Sequence, residues 1–128
     1  MANSDVLRAE LKKAGIQAPG YGNAAHHIVA ADAKGAKEAR KILKKYGIDY
    51  NSASNGVFLP YAKNSVVTTE TIHCGSHTDK YYNYVNNKLI NRVESLKAKG
   101  IKIKPEHITD TLNEIRMELL DGKLKLNN

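Results

Sequence analysis

Four of the five histidines stand in two pairs, His26-His27 and His73-x-x-x-His77. A neutral imidazole nitrogen is both a metal ligand and a proton acceptor, and an ordinary pKa near 6.5 keeps much of the group neutral at cellular pH. A spacing of four puts two side chains on one face where the segment is helical. It is a common arrangement for two imidazoles on one ion. Neighbours in a strand point opposite ways, so His26 and His27 cannot share a duty. At a twisted strand end one of them can bind a metal while the other faces a substrate held there. Three nitrogen ligands with open positions suit catalysis better than a closed structural site. His107 fits no such pattern and reads as a surface residue. Cys74, the single cysteine, reads as a small buried hydrophobe rather than a soft ligand, and its solitude excludes a disulfide framework.

The elements that must position these residues follow from periodicity and punctuation. Leu7, Leu11 and Ala14 predict a first helix, with Ser4 as its cap and Gly15 as its stop. The turn-rich QAPGYGN leads to AAHHIVAA, which reads as a strand. Ala36, Ala39, Leu43 and Tyr46 make the apolar stripe of a helix between Ala33 and Tyr46, ended by Gly47. Asn55-Gly56 marks a turn before the short strand VFLP, which Pro60 limits to about three residues. The stretch AKNSVVTTETIH is ambiguous between strand and loop. A long helix starts near Thr78, with Tyr82, Val85, Leu89, Val93 and Leu96 on one face and Gly100 as its end. A last helix carries Ile108, Leu112, Ile115 and Leu119 up to Asp121-Gly122, and KLKLNN reads as a frayed tail. The order α, β, α, β, α, α with such short strands predicts an α+β fold in a single domain, residues 1–128.

The charge narrows the partner. The chain has 128 residues, 41% hydrophobic and 26% charged, which is ordinary for a globular domain and enough for a core. No apolar run approaches the roughly 18 residues of a membrane span, and the first residues lack the apolar centre of a secretory signal. A net charge of +7 suggests a polyanion. Much of it lies on one helix face, where Lys34, Lys37, Arg40, Lys41, Lys44 and Lys45 oppose a single Glu38. A second basic run, Arg92 to Lys104, reads as a solvated face. Tyr81, Tyr82 and Tyr84 offer rings on which bases could stack, although Tyr82 falls on the core stripe and at least one other reads as core. Glu70 and Asp79 flank the second histidine pair and are candidate hydrogen-bond partners for a ligand imidazole.

Ala25-His26-His27, then Asn55-Gly56-Val57 with Leu59-Pro60, then His73 and His77 leading into Thr78, Tyr81 and Val85, together resemble the AHH nucleases. These are a branch of the HNH and endonuclease VII superfamily. The likeness runs in order over about residues 22–93, leaving 94–128 as a helical extension. It implies a ββα-metal (His-Me finger) core gripping one divalent cation, with the basic helix in the connection between the strands. It also implies that His26 is a ligand and His27 the general base. Asn55 would orient the loop and the base, through a backbone carbonyl or the His27 nitrogen. His77 would complete the metal site with His73, which either ligates or contacts phosphate.

The resemblance implies phosphodiester hydrolysis leaving 5′-phosphate and 3′-hydroxyl ends. The basic residues Lys37, Arg40, Lys41, Lys44 and Lys45 would track the phosphates. Nitrogen ligands favour zinc, nickel, cobalt or manganese over magnesium, though an open site can work with several. Many AHH domains are toxic tips of bacterial polymorphic toxins, delivered into the cytoplasm of competing cells and neutralised by a cognate immunity protein. The expected activity is therefore an endonuclease of low specificity acting on DNA as an antibacterial effector. A stand-alone phage or mobile-element nuclease, an RNA-directed nuclease and a non-catalytic DNA-binding module with a structural metal are the alternatives.

Overall fold

Helix-period and strand-period stretches alternate in the chain in the expected order. The computed structural model describes residues 3–61, 70–73 and 77–127. Helix α1 (Ser4–Lys13) is capped by Asn3 rather than Ser4, since the Asn3 side chain accepts from the Asp5 and Val6 amides. Asn3 has the extended backbone that a cap needs, whereas Ser4 is already helical. Strand β1 (Asn23–His27) is shorter than the apolar run AAHHIVAA. It stops because its partner does: β2 (Gly56–Pro60) runs antiparallel to it, with His26 opposite Val57 and His27 opposite Gly56. Pro60 belongs to the strand and sits at its end opposite Asn23. Among the described residues the sheet has two strands, so the missing proline N–H breaks no further ladder.

Helix α2 (Lys37–Lys45) begins later than expected, after a 3-10 turn at Lys34–Ala36. Gly35 permits this turn to lie against α3, because a Cβ there would stand 2.6 Å from Tyr82 Cδ2. Helix α3 (Asp79–Ala98) starts from the cap Thr78, as the pattern predicts. Helix α4 (Pro105–Leu120) has proline in its first turn, where no amide partner is lost. His107 is not idle there: its Nδ1 accepts from the Lys104 amide, 2.9 Å away. The ambiguous segment after β2 falls largely on residues 62–69, outside the described residues.

The sheet separates two apolar layers, because paired residues of an antiparallel sheet share a face. Ala25 and Phe58 pack under α1 with Leu7 and Leu11. Gly56 lets α1 approach, since a Cβ there would meet Leu7 Cδ1 at 2.7 Å. On the opposite face Val57 and Leu59 join the main core with Leu43, Val85, Leu89, Ile108, Leu112, Ile115 and Leu119. The last helix is therefore part of the core that carries the strands. This is the expected α+β architecture: two antiparallel strands with α3 packed below them. Among the described residues no helix is long and apolar enough to cross a membrane.

Two expectations need correction. Tyr81, rather than Tyr82, is the buried aromatic of α3, 1% exposed, while Tyr82 is half-buried at the core's margin. The segment after Gly122 is not frayed either. Leu126 is fully buried, and its carbonyl accepts from the Thr78 amide at 2.9 Å. The neighbouring Leu124 carbonyl accepts from Thr71 Oγ1. The tail thus holds the chain on both sides of the second histidine pair.

Candidate active site

The sheet end splits the tandem histidines as strand geometry requires. His26, opposite Val57, turns to the α3 side and is 2% exposed. His27, opposite Gly56, turns to the α1 side and is half-buried. His73 follows the residues just beyond β2, its amide donating to the Pro60 carbonyl, and His77 precedes the cap of α3. Neither residue is itself helical. Thr71 is tied to the Leu119 carbonyl and Thr78 to the Leu126 carbonyl, and these anchors bring the two rings together. Cys74 and Gly75 lie outside the described residues.

His26, His73 and His77 form a nearly equilateral triangle, with ring centroids 5.0, 5.1 and 5.2 Å apart. One ring nitrogen from each falls within 4.8 Å of the other two. Burial pushes all three pKa values below the ordinary imidazole range, His26 most strongly, and neighbouring imidazoles add to the shift at each; at His73 its backbone hydrogen bond opposes it. The neutral form that results is the one with a lone pair for a metal. His77 Nδ1 is, among the described residues, the buried side-chain nitrogen or oxygen that lacks a hydrogen-bond partner. Such an atom calls for a reason, and a cation held by the three rings would supply it. The residues fit a divalent ion.

The same shifts have a consequence for stability. An unfolded chain protonates its histidines below about pH 6.5, whereas buried His26 resists protonation. Stability therefore falls as pH drops through and below 6.5. Melting temperatures of chelator-treated protein between pH 7.5 and 5 should decrease steadily; an unchanged value across that range would contradict the burial argument.

His27 has a partner that sequence reasoning missed. Its Nε2 lies 2.8 Å from Asn51 Oδ1, and the same oxygen accepts from the Asn3 amide at 3.2 Å. A backbone amide can only donate, so the shared atom is an acceptor and His27 carries its proton on Nε2. Nδ1 is left with the lone pair. Asn51 is presented by a tight turn in which its own amide and the Ser52 hydroxyl bond to Asp49. No local spacing announces it; the pairing is 24 residues long.

The Asn55 side chain bonds to backbone groups. Fully buried, it accepts from the Val29 amide and donates to the carbonyls of Val29 and Tyr50. Of the two modes expected, the backbone one is realised. Asn55 fixes the chain that follows His27 to the chain that precedes Asn51. Arg116 of α4 supports the same turn, donating to the carbonyls of Ala53, Ser54 and Gly56, and burial lowers its pKa. Asn55→Ala would take the Asn55 side chain away from the buried amide and carbonyl of Val29, and a loss of about 3 kcal/mol is expected in urea unfolding. A loss under about 1 kcal/mol would show that the turn does not depend on it.

The basic helix is divided. Lys37, Lys41 and Lys44 are exposed and, with Tyr50 and Ile48, line a cleft of about 460 Å³ between α2 and residues 48–50. Arg40 borders this cleft, but its Nη1 donates to the carbonyls of Ala30 and Ala33; it clips the chain rather than standing free as a phosphate contact. Lys45 lies over the Tyr46 ring and lines a separate groove against α3. Glu70 hydrogen-bonds Tyr21 instead of a ligand histidine, and Asp79 opens α3. Tyr84 is bonded to Glu118, which also pairs with Lys88 at 2.9 Å.

Residues 7–119 match a nuclease family of the HNH/ENDO VII superfamily with conserved AHH. The chain belongs to the AHH nuclease family. The match spans α1 to α4, so the helices on either side of the motif residues are within the family unit as well as within the core of this nuclease. No curated protein and no solved structure matches the chain. As a nuclease of this superfamily it acts on nucleic acid with a divalent metal, and its histidine triangle is the candidate seat.

Proposed function

We propose that this AHH nuclease is an endonuclease that hydrolyses DNA with low sequence specificity, using His27 as general base beside a cation held by His26, His73 and His77. The observation that carries the reading is the division of labour at one strand end: three neutral imidazoles converge on one side, and a fourth is oriented by an amide on the other. A divalent ion at such a site supplies Lewis-acid relief of charge on the phosphodiester. His27 Nδ1 takes a proton from the attacking water, while Asn51 Oδ1 holds Nε2–H and so stabilises the imidazolium that forms. Cleavage would leave 5′-phosphate and 3′-hydroxyl ends. Asn55 and Arg116 keep the two strand ends in place.

The exposed Lys37, Lys41 and Lys44 would hold phosphates of the substrate backbone. Log affinity should then fall with log salt by about 0.9 per phosphate neutralised. Lys37→Ala, Lys41→Ala and Lys44→Ala combined should flatten that slope by up to about 3, measured as fluorescence-anisotropy binding to a duplex in the presence of chelator. An unaltered slope would move the contact elsewhere.

Incubation with plasmid and with total RNA, each with chelator or added cation, tests the activity and its substrate. Cation-dependent nicking of plasmid is expected. Plasmid retarded but uncut in every condition would identify a binding module, and cleavage confined to RNA would reassign the substrate. The effector role, with action in the cytoplasm of a target cell and a cognate immunity protein as partner, rests on the resemblance to polymorphic-toxin domains. Toxicity on expression, relieved by a neighbouring gene, is its expected mark.

A further inference from the structure

We infer that Tyr81 is a positioning residue of the metal site, which locks His26 in the tautomer whose Nδ1 faces the ion. Tyr81 Oη lies 2.7 Å from the Ile28 carbonyl and 2.9 Å from His26 Nε2. A carbonyl cannot donate, so the one hydroxyl proton goes to Ile28. Towards His26 the same oxygen must then accept, and His26 Nε2 must carry hydrogen. A neutral imidazole has one lone-pair nitrogen, and here it is Nδ1. Tyr81 and His26 are 1% and 2% exposed, so no bulk solvent competes for either bond. The Ile28 carbonyl belongs to the residue that follows His27 and whose amide is held by Asn55, so the acceptor at the end of the relay is itself fixed.

The ring of Tyr81 also contributes. It stands edge-on to His26 and tilted against His77, with centroids 5.7 Å away in both cases. One side chain thus abuts two of the three candidate ligands. Outer partners that fix a ligand imidazole are worth about 10- to 100-fold in metal affinity. Tyr81→Phe retains the ring and removes the relay, so it isolates the hydroxyl's effect.

The proposal rests on the metal site described above, and two measurements separate its failure from that of the site. Cobalt(II) binding is titrated optically with the full chain, wild type and Tyr81→Phe, beside Val93→Ala as a core variant remote from the relay. The expected result is wild-type binding, affinity 10- to 100-fold weaker in Tyr81→Phe, and affinity within about twofold of wild type in Val93→Ala. Equal affinity in Tyr81→Phe and wild type would overturn the role of Tyr81 and leave the metal site standing. A loss in Val93→Ala as large as in Tyr81→Phe would overturn it too, since simple loosening would then suffice. Absence of cobalt binding by wild type would overturn both readings. Long-range ¹H–¹⁵N NMR of metal-free wild type needs no variant: His26 should show the Nε2–H pattern alone, and an Nδ1–H pattern would overturn the inference.

Discussion

His27→Ala should lower the rate of plasmid cleavage by about 100- to 10,000-fold, the range for loss of a general base, and leave metal affinity unchanged. In barrier terms this is about 3–5 kcal/mol. The prediction follows from where the ring stands. It is on the face of the sheet opposite His26, outside the triangle of candidate ligands, and its Nε2 proton is committed to Asn51. Removing it takes away a proton acceptor and little else. His27 is half-buried, so the fold should survive. Asn51→Ala should behave as a weaker copy, because Nδ1 persists but its tautomer and direction are freed; Asn51→Asp, which keeps an acceptor, should restore part of the rate. Single-turnover cleavage beside cobalt titration checks all three. Near-normal cleavage by His27→Ala would remove it from the mechanism, and a parallel fall in metal affinity would move it into the ligand set.

The contrast between what the sequence discloses and what it conceals has a physical basis. Apolar periodicity and the glycines at positive φ (Gly15, Gly47, Gly100 and Gly122) mark the helices, because both are local properties of the chain. The four site histidines are identifiable by type and spacing, and the structure gathers three of them. The spacing of His73 and His77 suggests a helix, yet neither residue is itself helical. Their convergence depends on Thr71 and Thr78, each anchored to the far end of the chain. The alternation of Leu124 and Leu126 is too short to register as periodicity, yet those residues provide the anchors.

Tyr81 was hidden by the same limit. A stripe through Val85, Leu89 and Val93 extends back to Tyr82 or Tyr81 with similar ease. The deciding neighbour is His26, 55 residues earlier in the chain. Asn51 and Arg116 act through backbone and side-chain hydrogen bonds across 24 and 60 or more residues. Polar groups that work at such range leave no pattern in a single sequence, because their partners are set by the tertiary fold.

Replacement of His77 is expected to have the other large effect. His77→Ala should weaken divalent-metal binding by more than 100-fold, beyond the range for an outer partner, and abolish cation-dependent cleavage with it. His77 is a cleaner probe than His26, whose loss would also deprive Tyr81 Oη of a bond. Its Nδ1 satisfies no hydrogen bond in the fold, so deletion breaks none at that atom. Stability provides the decisive readout. A ligand that binds the folded state at 100 times its Kd adds about 2.7 kcal/mol, so wild type should melt several degrees higher with saturating cation than with chelator. His77→Ala should show no such rise, and in chelator it should melt close to wild type or slightly above, since one of three crowded, desolvated imidazoles has gone. A purely structural His77 predicts the reverse: a lower melting temperature in chelator and an intact response to the cation. Differential scanning calorimetry of the two proteins, with and without cation, separates these outcomes.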